Sequence, residues 1–289
     1  MQGTPSWTDR ILVLWLWGAL LTGGPAAAGP IADLPSPPGD AITAEDVVRR
    51  LLERVEAAAT NTPCAEAVTL RRITVIEELD SRGRVKERKT KEHSVILRGA
   101  DQEATLVRIN GEAPSDSERR RELRREEGDR DKFSPRRDRS TGSTHRIGRD
   151  LLERFEYRLL GSEEVDGRLA HLLGFNPRPA AEGGKMADRV LGGLRGRLWV
   201  DALEFEPVRI EARLDAPVSI GGFLAVLDEF RMDVERRRLP SGLWVDQRVD
   251  THVGGRKLIQ RFHGHFEVLQ DPFVPGTSET EAGADGPSP

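Results

Sequence analysis

Histidines at alternate positions are the arrangement in this chain closest to a metal site. His263 and His265 are two residues apart, so on a strand both project from one face. Paired imidazoles are common zinc ligands. The spacing supplies no third ligand, however, and neither a cysteine nor an acidic side chain is placed beside them by sequence. The simpler reading is two solvated histidines, and no metal is expected. A second candidate is carboxylate chemistry. Leu198-Trp199-Val200-Asp201 recurs as Leu243-Trp244-Val245-Asp246, 45 residues on. Asp201 and Asp246 could in principle act as an acid/base pair. Each instead follows a tryptophan on a polar strand face, where it is expected to hydrogen-bond a turn or an arginine. Trp199 and Trp244 share that charged face rather than the apolar one. They form a possible surface platform for a ligand or partner; the alternative is that a helix or the opposite sheet edge covers them. Gly192-Gly193 and Gly196 have no strand before them and no Lys-Ser after, so they are not a phosphate cradle. Nucleophile elbow, phosphate loop, zincin helix and dinucleotide fingerprint are all absent from the sequence. No catalytic residue and no cofactor are expected, and the chain does not read as an enzyme.

The elements that position these residues are strands. Phe155, Tyr157 and Leu159 alternate with Arg154, Glu156 and Arg158. Asp166-Gly167 marks a tight turn, after which Leu169 to Phe175 returns. Val208, Ile210, Ala212 and Leu214 alternate with arginines and acids. Phe230, Met232 and Val234 do the same, and Leu258, Phe262 and Phe266 share a face opposite His263 and His265. One apolar and one charged face per strand predicts an antiparallel sheet with one side in water. Earlier in the chain, Val68 to Ile76, Val95 to Leu97 and Leu106 to Ile109 read as further strands. Ahead of them a helix is expected. Thr43 and Asp46 form its capping box, and Val47, Val48, Leu51, Leu52 and Val55 line one side.

The remaining segments set context. Residues 1–28 read as a secretory signal peptide: Arg10, an apolar run from Ile11 to Leu21, a Gly-Pro break, and Ala26-Ala27-Ala28 for cleavage. The run is shorter than the roughly 20 residues a membrane span needs, so no stable transmembrane anchor is expected after cleavage. The protein is therefore expected to be exported to the periplasm. The one cysteine, Cys64, excludes an internal disulfide. A net charge of −4 gives no reason to expect nucleic acid as a partner. A Pro-rich linker occupies 29–42, and an acidic tail of disordered composition covers 273–289. Residues 112–150 carry 12 basic and 10 acidic side chains and almost nothing apolar. They read as a charged mobile insertion in which Ser117 to Glu127 could be a solvated helix.

Phe155-Glu156-Tyr157-Arg158-Leu159, Glu164-Val165-Asp166-Gly167-Arg168, Gly196 to Asp201, Pro207 to Glu211 and Gly242-Leu243-Trp244-Val245 together resemble a known group. It comprises exported bacterial proteins of the outer-membrane lipoprotein-sorting superfamily, with the LolA/LolB-like fold. The resemblance implies an α+β, mostly β fold. A curved antiparallel sheet would form an incomplete half barrel, with an N-terminal helix and one or more further helices over its concave apolar face. A single domain would span 43–272. The implied function is a periplasmic non-enzymatic carrier or sensor of an apolar ligand, a lipid or lipoprotein acyl chain, in cell-envelope biogenesis. The alternative is an envelope structural or adaptor protein with a filled core that binds a protein partner. The residues expected to line the concave face are Val208, Ile210, Leu214, Phe230, Met232, Val234, Phe262 and Phe266.

Overall fold

The computed structural model describes residues 42–60, 67–98, 101–133, 152–178, 186–220, 225–258 and 260–272. The expected signal peptide, almost all of the Pro-rich linker, and the acidic tail lie outside them. Helix α1 (Ala44–Thr60) opens the described chain. Its N-terminus is capped as the sequence predicts. The Asp46 amide donates to Thr43 Oγ1 at 3.1 Å, and the Thr43 hydroxyl donates back to Asp46 Oδ2 at 2.7 Å. Val47 and Leu51, one turn apart, are 0% and 1% exposed.

Strands β1 (Val68–Leu79), β2 (Val85–Arg98) and β3 (Asp101–Ile109) form a meander, and α2 (Asp116–Phe133) follows. After it come β4 (Phe155–Val165), β5 (Arg168–Pro177), the short α3 (Met186–Leu191), β6 (Leu194–Asp201) and β7 (Pro207–Leu214). The chain then continues through β8 (Val218–Ile220), β9 (Ala225–Arg238), β10 (Trp244–Lys257) and β11 (Gln260–Pro272). All strands join one antiparallel sheet in the order β3-β2-β1-β11-β10-β9-β7-β6-β5-β4, with β8 beside β9. The sheet is curved and does not close. β3 and β4, neighbours in sequence, stand at its opposite edges, so the charged segment between them connects one rim to the other.

That segment begins with a helix over the stretch, Ser117 to Glu127, that the sequence offered as a solvated one. Ser115 caps α2 in a second capping box with Glu118. Glu122 reaches back to β2, where Lys91 Nζ donates to its carboxylate at 2.7 Å and His93 Nε2 lies 3.5 Å away. Lys91 and His93 are buried. One half-buried carboxylate between two basic side chains anchors a helix that has no apolar face. Residues 134–151 lie outside the described structure.

Two glycines let neighbouring strands approach closely. A Cβ at Gly196 would stand 1.8 Å from the Glu211 carbonyl oxygen and 2.8 Å from the Phe175 ring. A Cβ at Gly255 would stand 2.3 Å from the Val226 carbonyl oxygen and 2.7 Å from the Phe262 ring. In each case the directly paired cross-strand residue is the phenylalanine whose ring covers the glycine. The predicted Asp166-Gly167 turn joins β4 to β5 with both residues at positive φ, 48° and 75°. Leu258, in contrast, is not a strand residue. It sits in the β10–β11 turn at φ 55° and is 59% exposed.

Candidate functional site

Alternation sends one side chain of every pair to the face that α1 covers. There, Ile210, Phe230, Met232, Val234 and Phe266 are buried in one cluster with Val47 and Leu51 of the helix. Leu214 and Phe262 pack against that cluster from partly buried positions. Val208 stands apart. The register between β6 and β7 shifts at Trp199/Val200, whose partners are Arg209 and Pro207, so Val208 is passed over. Such a bulge places an extra residue out of phase. Val208 packs with Ala170, Leu172, Trp199 and Trp244 in a separate cluster.

Beside Leu51 the packing is incomplete. A crevice of about 60 Å³ is lined by Leu152, Phe155, Phe175, Leu191, Ala212 and Met232, among others, with Tyr157 bringing a hydroxyl. Burial pushes the Tyr157 phenol well above its ordinary pKa, so it stays neutral. Phe155 and Phe175 meet edge to face at 5.1 Å between ring centres. The volume is far below the roughly 300–1,000 Å³ of a ligand pocket.

The Leu-Trp-Val-Asp copies build a different environment. Trp199 and Trp244 are only 3% and 1% exposed, so neither is a surface platform. Their indole N–H groups donate to Glu163 Oε2 at 2.8 Å and Glu204 Oε2 at 2.9 Å. The guanidiniums of Arg197 and Arg209 lie 5.0 and 5.2 Å from the Trp199 ring centre, and Arg168 lies 5.6 Å from that of Trp244. The charges that alternation assigned to this face are what cover the tryptophans.

Both aspartates hold an arginine, and Asp201 also holds a turn. Arg168 donates to Asp201 twice, at 2.6 and 3.0 Å, while the amides of Leu203 and Glu204 donate to Asp201 Oδ1. Burial opposes the Asp201 charge, but Arg168 and those amides overcome it and hold its pKa below the ordinary value. Arg236 donates to Asp246 Oδ1 at 3.0 Å and to Glu206 Oε2 at 3.1 Å. Burial works against its charge, and the two carboxylates keep it protonated. Glu206 also accepts from Arg54 of α1 at 3.0 Å. An ionic seam therefore runs from the helix through the β6–β7 turn to β9 and β10. Within it Arg236 pairs with both Glu206 and Asp246, and burial raises the Asp246 pKa against the pull of Arg236.

No family model and no curated protein matches the chain. Solved structures do. A LolA superfamily protein from Nitrosomonas europaea is 11% identical, with 81% of this chain and 95% of that one covered, at a TM-score of 0.32. A DUF1329 family protein from Desulfovibrio piger is 13% identical over 80% and 94%, at 0.31. An outer membrane lipoprotein-sorting protein domain from Vibrio parahaemolyticus is 12% identical over 82% and 95%, at 0.30. At such identities and scores these are neighbours, and the half-barrel architecture rests on the strand order itself. No helix among the described residues is long and apolar enough to cross a membrane.

The seam is what sequence reasoning missed. The signal available was an excess of charge around two identical tetrapeptides. Pairing Arg168 with Asp201, or Trp244 with Glu204, needed the fold, because the partners are 33 and 40 residues apart.

Proposed function

We propose that this chain is a non-enzymatic binding protein of the bacterial envelope, exported to the periplasm, that takes an apolar chain between α1 and the covered face of its sheet. The ligand class is the acyl group of a lipid or lipoprotein. The observation that carries this reading is the apolar crevice beside Leu51. It lies at the seam between a helix and a sheet, where a rigid-body shift of the helix enlarges it without breaking strand pairing. The crevice as it stands is half open but too small for an acyl chain, so binding requires α1 to move outward. Such gating gives a Kd weakened by the small population of the open form.

The size of the crevice also favours a second reading. A cluster this full is what a structural or adaptor protein with a packed core would have. The two readings differ in one experiment. Native mass spectrometry of the purified protein, followed by titration with a fluorescent fatty acid, is run on the wild type and on Ala212→Leu. Leucine at 212 fills the crevice. The binding reading expects uptake by the wild type and a loss of at least about tenfold in the variant, while overpacking costs about 1–3 kcal/mol of stability. A wild type that carries no lipid and takes up no probe sinks the binding reading and leaves the adaptor.

A further inference from the structure

On the face away from α1, three adjacent strands bring together residues that neither the crevice nor the seam uses. His252 of β10 pairs directly across from His265 of β11, and His265 pairs directly across from Glu77 of β1. Asp250 lies two residues before His252, on the same face. The two imidazoles stack with ring centres 4.4 Å apart and planes 13° from parallel. Both present Nε2 to the Asp250 carboxylate. His252 Nε2 is 3.1 Å from Oδ1, and His265 Nε2 is 3.3 Å from Oδ2. One ligand atom from each of the three residues lies within 4.8 Å of the other two.

We propose that Asp250, His252 and His265 form a binding site for a divalent transition cation, zinc being the best match. Geometry is the first argument. A tetrahedral zinc with bonds of about 2.0–2.2 Å has its ligand atoms about 3.3–3.6 Å apart. The 3.1 Å from Asp250 Oδ1 to His252 Nε2 is already near that spacing, and His265, whose Nε2 now lies 3.3 Å from Oδ2, has to draw its ring toward His252 to share a cation held on Oδ1. The ligand set is the second argument. Two imidazoles and one carboxylate suit a borderline cation, whereas calcium or magnesium prefers oxygen alone.

The third argument is orientation. His265 Nδ1 lies 2.9 Å from Glu77 Oε2, so a proton on Nδ1 is donated to that carboxylate. Nε2 then directs its lone pair toward Asp250, another acceptor. Two acceptors facing one another need a cation or a proton between them. A carboxylate behind a histidine is also the arrangement that fixes the tautomer of metal ligands. Glu77 is thus a positioning residue. Arg248 occupies Asp250 Oδ2 at 3.1 Å and also pairs with Glu267. That leaves Oδ1 as the carboxylate atom for the cation. His252 is partly exposed, which opens an entry path from solvent. One row along the same face, His263 Nδ1 and Glu229 Oε2 lean over Gly254, at 3.0 and 3.1 Å from where a Cβ would stand. A glycine there leaves room beside the site.

Isothermal titration with zinc chloride tests this on the full chain, produced without a histidine tag and stripped with EDTA. The expected result is one zinc per chain. His252→Asn and His265→Asn should abolish binding, and Glu77→Gln should weaken it about 10–100-fold, the usual effect of removing such a partner. Substitution at a paired strand position can unfold the protein, so the wild type is also followed by NMR of its histidine side chains. Zinc should shift the ring resonances of His252 and His265 before those of His93 or His171. No binding at millimolar zinc overturns the proposal. So does unchanged affinity in a folded His252→Asn variant, or a first shift at another histidine.

Discussion

The apolar crevice and the ionic seam both meet α1, one at Leu51 and the other at Arg54, less than a turn apart. They hold the helix by different physics. Around Leu51 the contacts are non-directional, and side chains can slide or repack at modest cost. Around Arg54 they are directional, since Glu206 accepts from Arg54 and Arg236 in a geometry that rotation of the helix would break. The pairing places a compliant contact next to a fixed one. Motion of α1 is therefore expected to pivot about the seam and open at the crevice.

The largest effect expected on this contrast is at Arg236. Replacing it with alanine leaves Glu206 and Asp246 buried without their shared cation, and loss of one partner from a buried pair costs about 3–5 kcal/mol. Urea denaturation measures it, and a loss below 1 kcal/mol would mean that the seam is not what fixes the helix. Met232→Ala at the crevice comes next. It should cost about 2–3 kcal/mol, the low end for a core methionine, because the crevice already leaves the wall free to relax. The same variant should take up a fluorescent fatty acid more readily than the wild type; weaker uptake would contradict the compliant role assigned to this side.

Acid separates the regions further. The folded pKa of Asp201 lies below its ordinary value of 3.8. Its pairing therefore stabilises the fold fully above about pH 4 and is lost as pH falls through the lowered value. Asp201→Asn should cost about 2 kcal/mol at neutral pH, the scale of a hydrogen bond to a charged group, and progressively less in acid. Denaturation curves at several pH values check this, and an equal cost at every pH would remove the carboxylate's charge from the explanation. The smallest effect is a gain. Thr251 is fully buried in the middle of the covered face, and its hydroxyl has no hydrogen-bond partner among the described residues. Thr251→Val should stabilise by about 1 kcal/mol, by removing an unsatisfied polar group at nearly constant volume. A destabilised variant would point to a polar contact on that face.

The covered face was legible in the sequence because burial there follows a period of two. Ile210, Phe230, Met232, Val234 and Phe266 needed only alternation to be grouped. Val208 escaped because a bulge changes phase locally, and nothing in Pro207-Val208-Arg209 announces the register shift. The tryptophans were misplaced for a different reason. Alternation correctly put Trp199 and Trp244 with the charges, but a charged face is exposed only if its charges point outward. Here Arg197, Arg209 and Arg168 fold over the indoles, and Glu163 and Glu204 accept their N–H groups. Asp250, His252 and His265 were hidden by distance in sequence. His265 was read beside His263, its neighbour on one strand, when the ring it stacks on belongs to the strand alongside.

Gly196 and Gly255 let neighbouring backbone close in by lacking an atom, and that makes the close approach heritable in an unusual way. Most positions in a sheet accept several side chains, so their mutational tolerance is graded. At these two, even alanine meets a carbonyl oxygen of the neighbouring strand, so tolerance should fall to a single allowed letter. In a saturation library sorted for folded protein, they should appear as isolated positions with no accepted substitution, flanked by permissive ones such as the exposed Arg256. The two close approaches would then be readable from survival counts alone, as two notches in an otherwise gently varying profile.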